Sequence, residues 1–251
     1  WGGRVPSKLI SKSLIKKVRS LKQKKYRKKY RNFVVEGVRS VRSAFEDRAQ
    51  FESIFFRDNF DTERIPQLKQ VDRNIIYRVS DNTMKKLSNT SAPSGILAVS
   101  KLPEYKQFCP DENAIYLDGI SDPGNMGTII RTASWFGVQQ VILSKECIDP
   151  YNEKVVSSAM GGHFQLNFLG YHNLAKLSNY SIIGTSSLGK SIHEYIPRSK
   201  NWVLVMGSEA HGMSNEVCNL LTDTYAIPKV GKGESLNVGV AMGVFLHNLV
   251  K

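Results

Sequence analysis

Cysteine and histidine are scarce in this 251-residue chain, and its first 32 residues contain no acid. The three cysteines, Cys109, Cys147 and Cys218, are widely spaced and form no Cys-x-x-Cys pair. That excludes a disulfide framework, and the sparse, odd count fits a reducing cytoplasm. The five histidines are scattered and no His-Glu-x-x-His occurs, so no metal site is expected. No apolar run approaches the roughly 20 residues that cross a bilayer, and no signal peptide is visible, so no membrane partner is expected. A Gly-x-Ser-x-Gly elbow is also absent, which argues against a serine hydrolase. Gly231-Lys-Gly-Glu-Ser235 misses the spacing of a phosphate loop and the third glycine of a dinucleotide fingerprint.

What is present is positive charge in one place. The formal net charge is +13, and 13 Lys and Arg fall within residues 1–32. The remaining 219 residues hold 22 charges of each sign and are neutral overall. A concentrated basic segment attracts polyanions by counterion release and steers their encounter. Its densest run, Lys22-Gln-Lys-Lys-Tyr-Arg-Lys-Lys-Tyr-Arg31, interleaves Tyr26 and Tyr30, which suit base stacking. A solvated helix face is the plainer alternative. An anionic membrane fits less well, because the segment has no continuous apolar face. A nucleic acid is therefore the expected partner.

The length allows one or two domains, and hydrophobic content of 41% is enough for a substantial core. Residues 7–32 read as one basic helix. Strands are expected at 32–37, 53–57, 75–79 and 95–100, with helices at 38–49 and 81–87, the latter capped by Ser80. This is a small α/β unit over residues 1–104. Residues 105–112 read as a linker. From 113 to 251 the alternation restarts. Strands are expected at 114–118, 138–143, 180–185, 202–207 and 225–228, with helices at 128–136, 152–160 and 237–249. Short apolar strands between helices imply a parallel sheet covered on both faces, with ligands bound at the strands' carboxyl ends.

Three loops fall at those ends. In Asp118-Gly-Ile-Ser-Asp-Pro-Gly-Asn-Met-Gly127, Asn125 stands just before the next helix, placed to cap it or to serve a site. Arg131 follows within the expected first two turns, where a cation opposes the helix macrodipole and calls for an anionic partner. In Gly207-Ser-Glu-Ala-His-Gly212, Glu209 lies between two glycines that permit close backbone approach, and His211 is a weaker candidate. In Ala226-Ile-Pro-Lys-Val-Gly-Lys-Gly-Glu-Ser-Leu-Asn-Val238, Glu234, Ser235 and Asn237 stand beside exposed backbone amides that suit a small polar ligand.

Taken in order, these loops resemble the three motifs of the SpoU family of RNA ribose methyltransferases, within the SPOUT superfamily. The matching pieces are Asn125-x-Gly127-x-x-x-Arg131 with Phe136-Gly137, then Gly207-x-Glu209-x-x-Gly212, then Ile227-Pro228 with Ser235-Leu-Asn-Val238. One departure is Gly239, where the family often has Ser. The N-terminal pieces Phe33-Val-Val-Glu-Gly37 and Ser94-Gly-Ile-Leu-Ala-Val99 are similar to the ribosomal-protein-like substrate-binding domain that many members carry. The resemblance implies a C-terminal parallel-sheet domain with a trefoil knot. It also implies bent S-adenosylmethionine held by Thr185, Gly207, Ile227, Ser235 and Leu236, and a homodimer.

The reaction so implied moves a methyl group to a ribose 2′-hydroxyl of rRNA or tRNA, with rRNA ahead. The expected catalytic residues are Arg131, Asn125, Glu209, Ser235 and Asn237. In the family the arginine matching Arg131 has been assigned to activating the hydroxyl. A guanidinium is not deprotonated in proteins, so stabilising an alkoxide or clamping a phosphate is the more physical role. Two other classes compete with this one. A non-catalytic RNA-binding factor on the same scaffold has no need of Asn125, Arg131 and Glu209. A small-molecule or protein methyltransferase has no need of the segregated charge.

Overall fold

The computed structural model describes residues 10–104, 106–170 and 172–250. The Trp-Gly-Gly-Arg opening and the expected helix start at residue 7 lie outside them. The helices are α1 Lys12–Ser20, α2 Lys24–Tyr30, α3 Val38–Glu46, α4 Asp81–Leu87, α5 Pro123–Trp135, α6 Glu153–Ala159, α7 Asn215–Cys218 and α8 Val238–Leu249. The strands are β1 Asn32–Glu36, β2 Phe51–Arg57, β3 Ile76–Val79, β4 Ile96–Lys101, β5 Ala114–Asp118, β6 Gln140–Leu143, β7 Asn167–Gly170, β8 Ser181–Ser191, β9 Trp202–Gly207 and β10 Asp223–Ala226. The chain forms two compact units. The first holds the chain up to Glu104 together with Tyr151–Phe164, and the second holds the rest.

In the first unit the strand order is β1-β4-β2-β3. The β1–β4 and β4–β2 pairs are antiparallel and β2–β3 is parallel. The period-2 alternation of β1 divides its side chains between two cores. Phe33 and Val35 join Ile54, Phe56 and Val156 on one face. Val34 joins Phe55, Leu97 and the helix residues Val18, Leu21, Met84 and Leu87 on the other. Ser80 caps α4 as expected, accepting from the Thr83 amide.

The single basic helix expected from the sequence is two helices, broken after Leu21. Leu21 is buried, and Arg27, only 3% exposed, donates to the Leu21 and Lys22 carbonyls at 2.8 Å each. Those carbonyls at the end of α1 lack helical partners, so Arg27 completes that end. It is a structural cation inside a run that otherwise faces solvent. Tyr26 and Tyr30 stack with centroids 6.1 Å apart, and Lys25 and Lys17 already sit over their rings at 4.9 and 5.0 Å.

The second unit has a six-stranded, all-parallel sheet in the order β10-β8-β9-β5-β6-β7. Every residue of β5 is buried, as expected of a strand covered on both faces. The stretch read as a linker is held on β6: Gln140 accepts from the Cys109 amide at 2.6 Å and donates to its carbonyl at 3.0 Å. Helices α5 and α8 pack together so closely that a Cβ on Gly239 would lie 2.5 Å from Thr128 Cγ2. No helix among the described residues is long and apolar enough to cross a membrane.

Candidate active site

The site is assembled from the ends of β5, β9 and β10. Asp118 closes β5, pairs in register with Gly207 of β9, and is buried. Its Oδ2 accepts from the Ser214 amide at 2.6 Å, which ties the β5 end to the loop after β9. The chain then enters α5 five residues earlier than the sequence pattern suggests. Asp122, not Asn125, is the cap: its Oδ1 accepts from the Asn125 amide at 2.7 Å. Pro123 takes the first helical position, where its missing N–H costs nothing. Asn125 is thus already helical, and its side chain is available for other work. Arg131 is consequently mid-helix and exposed, so the expected conflict with the helix macrodipole does not arise.

The loop after β9 is a tight turn. Ser208 and Gly212 exchange hydrogen bonds at 3.0 and 2.8 Å. Gly212 has φ +67, and a Cβ on Gly207 would lie 2.3 Å from the Gly212 carbonyl carbon. Both glycines are therefore required by the backbone. The turn holds Glu209 at its tip. His211 is exposed and offers only its amide, to Ser208 Oγ at 3.1 Å.

Asn237 joins the three elements. Its Oδ1 accepts from the Gly239 and Val240 amides at 3.0 and 3.3 Å and caps α8. Its Nδ2 donates to Asn125 Oδ1 at 2.7 Å and to Glu209 Oε1 at 2.9 Å. The same Glu209 oxygen accepts from the Val238 amide at 3.0 Å. Because backbone N–H groups face one side of the Asn237 amide, its orientation is fixed by the network.

Behind this junction is a cavity of ≈ 520 Å³. It brings together Thr185, Gly207, Glu209, Ile227, Ser235 and Leu236, which include every residue expected to hold the cofactor. Thr185 Oγ1 donates to the Val205 carbonyl at 3.1 Å, which turns the hydroxyl lone pairs elsewhere. Asn125, Asn237 and Arg131 do not line the cavity. Arg131 is six residues beyond Asn125, about 120° round the helix at ~3.6 residues per turn. The structure therefore joins Asn125, Glu209 and Asn237, and sets Arg131 on a different face of α5.

Asp118 and Asp122 were missed as site-forming residues. A signal existed for Asp122, since Asp followed by Pro is a helix start. Asp118 had none, because its partner is 96 residues away.

Residues 112–247 match the SpoU rRNA Methylase family, and residues 12–98 match the MRM3-like substrate binding domain. The chain belongs to the SpoU rRNA methylase family. Among SpoU-type relatives, the 23S rRNA (guanosine(2553)-2′-O)-methyltransferase RlmP of Bacillus subtilis is 30% identical, over 94% of this chain and 95% of its own. A TrmH-family structure from Porphyromonas gingivalis superposes with TM-score 0.84 at 28% identity, covering 96% and 98% of the two chains. The AdoMet-bound rRNA methyltransferase from Sinorhizobium meliloti gives 0.82 at 25% identity, covering 96% and 95%. The expected architecture, a parallel-sheet SpoU domain preceded in the chain by a substrate-binding domain, is borne out. So is the expected class, an S-adenosylmethionine-dependent RNA 2′-O-ribose methyltransferase.

Proposed function

We propose that this SpoU methyltransferase modifies ribosomal RNA, with Asn125, Glu209, Asn237, Arg131 and Ser235 as its working residues. The observation that carries the assignment of Asn125, Glu209 and Asn237 is the Asn237 junction, which ties the first turn of α5, the turn after β9 and the start of α8 together beside a cavity that Glu209 and Ser235 line. The cavity fits the cofactor. Its volume lies within the roughly 300–1,000 Å³ of small-molecule sites, and a Cβ at Gly207 would destroy the turn that walls it. Ile227, Leu236 and Phe245 supply apolar surface, and Thr185 and Ser235 supply hydroxyls. Bound S-adenosylmethionine supplies a sulfonium methyl whose thioether leaves neutral, so no acid is required of the protein.

What remains for the chain is alignment and the hydroxyl proton. Alignment alone is worth about 7–11 kcal/mol, and the Asn237 junction provides the rigidity it needs. Glu209 Oε1 already accepts two hydrogen bonds. Glu209 is therefore a positioning residue in this proposal, and the proton leaves to water or an RNA phosphate. Arg131 stabilises the developing alkoxide or clamps the adjacent phosphate.

The proposal includes a homodimer formed through the second unit, supported by apolar side chains exposed on and beside α5 and α8. Trp135 is 85% exposed, and Leu236 and Val240 are about half exposed. Sedimentation of Trp135→Glu tests it, with a monomer expected. The trefoil knot and a cytoplasmic location belong to the same reading, the latter supported by three free cysteines. Calorimetry with S-adenosylmethionine on the full chain separates this function from a non-catalytic RNA-binding factor. We expect saturable binding that Gly207→Leu abolishes. Absence of binding by the unmodified protein favours the non-catalytic factor.

A further inference from the structure

The second unit contains another cavity, of ≈ 580 Å³, that the methyl-transfer chemistry does not use. The topology of the sheet explains its place. From β5 the chain moves outward to β6 and β7, then crosses to the other side of β5 for β8, β9 and β10. The topological switch point is therefore between β5 and β9, and sheets of this kind hold ligands there, at the strands' carboxyl ends. Asp118 and Gly119 at the end of β5, and Ser208, Gly212 and Ser214 after β9, line this cavity. The cofactor cavity draws no residue from β5. Ser208 and Gly212 line both cavities, so their turn is a shared wall.

Asp118 points to an occupant. It is 8% exposed, and its Oδ2 is committed to the Ser214 amide. No described residue donates to its Oδ1, and that atom is not closed off. Asp118 lines this cavity and not the cofactor cavity, so the open oxygen faces this one. An acceptor on a buried side chain calls for a donor. Among the described residues no group of three His, Cys, Asp or Glu could hold a metal ion, which leaves a hydroxyl or amino donor. Tyr116, Leu174 and Val217, all buried, offer an apolar surface for a flat ring. The rim sets Lys145 against Glu146 and Glu216. A hydrogen bond from Ser144 holds the Glu146 carboxyl below its usual range, so it stays ionised. This rim repels a polyphosphate but admits a single nucleoside unit. Its volume is in the roughly 300–1,000 Å³ range of small-molecule sites. In nucleotide-binding sheets a carboxylate accepts from a ribose 2′-hydroxyl. Within an RNA chain the 3′-oxygen is esterified, so the 2′-hydroxyl is the sugar donor that remains, and it separates RNA from DNA.

We propose that this switch-point cavity is a nucleoside site for an unpaired nucleotide of the RNA substrate, with Asp118 Oδ1 accepting its 2′-hydroxyl and the base lying on Tyr116, Leu174 and Val217. The RNA source rests on the proposed function, whereas the nucleoside site does not.

The test uses the full chain saturated with S-adenosylmethionine, which fills the cofactor cavity. Nucleotides are then titrated by saturation-transfer NMR. Ribonucleoside 3′-monophosphates stand for an internal RNA nucleotide, and their 2′-deoxy counterparts lack only the 2′-hydroxyl. Ribonucleoside 5′-monophosphates stand for a free nucleotide. Saturable binding of at least one ribonucleoside 3′-monophosphate is expected, about tenfold tighter than its deoxy counterpart, as for one hydrogen bond to a charged group. Asp118→Asn keeps an oxygen for the Ser214 amide and turns an amino group toward the cavity, so that preference should vanish. Ser121→Trp fills the cavity from the loop before α5 and should abolish binding. No binding, equal binding of ribose and deoxyribose forms, a preference that persists in Asp118→Asn, or binding that survives Ser121→Trp overturns the site. Binding confined to 5′-monophosphates overturns the RNA source. If the unmodified protein transfers no methyl to RNA, the proposed function fails, while the titrations still decide whether the cavity takes a nucleoside.

Discussion

Asn237 uses all of its side-chain hydrogen-bonding groups. Two backbone amides donate to its oxygen and its amino group donates to Asn125 and Glu209. Asp is as good a helix cap as Asn, so Asn237→Asp keeps the α8 cap and removes only the donor. It also sets a carboxylate against Asn125 Oδ1 and Glu209 Oε1. The expected cost is about 2–3 kcal/mol, or roughly 30- to 150-fold in kcat/KM, with the fold retained. Activity near that of the unmodified enzyme contradicts the junction's role. Arg131→Lys separates charge stabilisation from base catalysis. The expected result is reduced activity with no new ionisation in the pH–rate profile. Near-full activity, with a rate that rises at a lysine-like pH, contradicts it. Burial of Glu153 on α6 carries a prediction about stability. Because burial raises its carboxyl pKa in the folded state, the folded protein binds that proton more tightly than the unfolded chain. Its stabilising contribution is thus present at low pH and lost as pH rises through the raised value. Glu153→Gln is expected to melt no lower than the unmodified protein at pH 7.5. Any advantage should shrink as pH falls toward 4. A lower Tm at pH 7.5 contradicts this, and calorimetry measures it.

At the scale of elements, the packing of α5 against α8 holds Asn125 and Asn237 in reach of each other. Gly239 makes that approach possible, since a Cβ there meets Thr128. Thr128 cannot swing away freely, because its Oγ1 donates to the Gly124 carbonyl at 3.0 Å. Gly239→Ser is expected to destabilise by about 1–3 kcal/mol, and adding Thr128→Ala should recover most of it in thermal unfolding. No recovery shows that the clash is elsewhere. This pair also explains how a chain of this family does without the Ser often found at that position. Several elements were legible from sequence. β5, β9 and α4 fall where expected because apolar runs or a capping Ser80 bound them sharply. Others were hidden. The expected loop over 119–127 hid the start of α5, because Pro123-Gly124 reads as a turn unless Asp122 is seen as a cap. β7 was missed because it has four residues with only Phe168 buried. β8 runs on to Ser191 through Gly184 and Gly189, and glycines in a strand conceal its pattern. Gly189 is needed there, since a Cβ would lie 2.6 Å from the Tyr225 carbonyl carbon.

At the scale of the molecule, charge and chain path tell different stories. The concentration of positive charge before residue 33 was plain from the sequence, and so were the three loops of the site. The membership of Tyr151–Phe164 in the first unit was not, because it depends on pairs such as Phe33 with Tyr151, whose ring centroids are 4.8 Å apart. No local pattern encodes an approach across more than a hundred residues. The basic run also divides on inspection. Lys24, Lys25, Lys28 and Lys29 are exposed, while Arg27 is buried and completes α1. Changing the four lysines to Gln is expected to lower the slope of log affinity for RNA against log salt. The fall should be ~0.7–0.9 for each phosphate no longer neutralised. Arg27→Gln should instead lower Tm. An unchanged slope in the fourfold variant removes this segment from the RNA interface. The central claim is that the chain methylates a ribose 2′-hydroxyl of ribosomal RNA. It is tested most directly by incubating the protein and S-adenosylmethionine with rRNA from cells that lack it. The RNA is then digested to nucleosides and analysed by mass spectrometry. The account predicts one new 2′-O-methylated nucleoside, formed roughly 30- to 150-fold more slowly with Asn237→Asp. Methyl groups on bases only, or none on RNA, would contradict it.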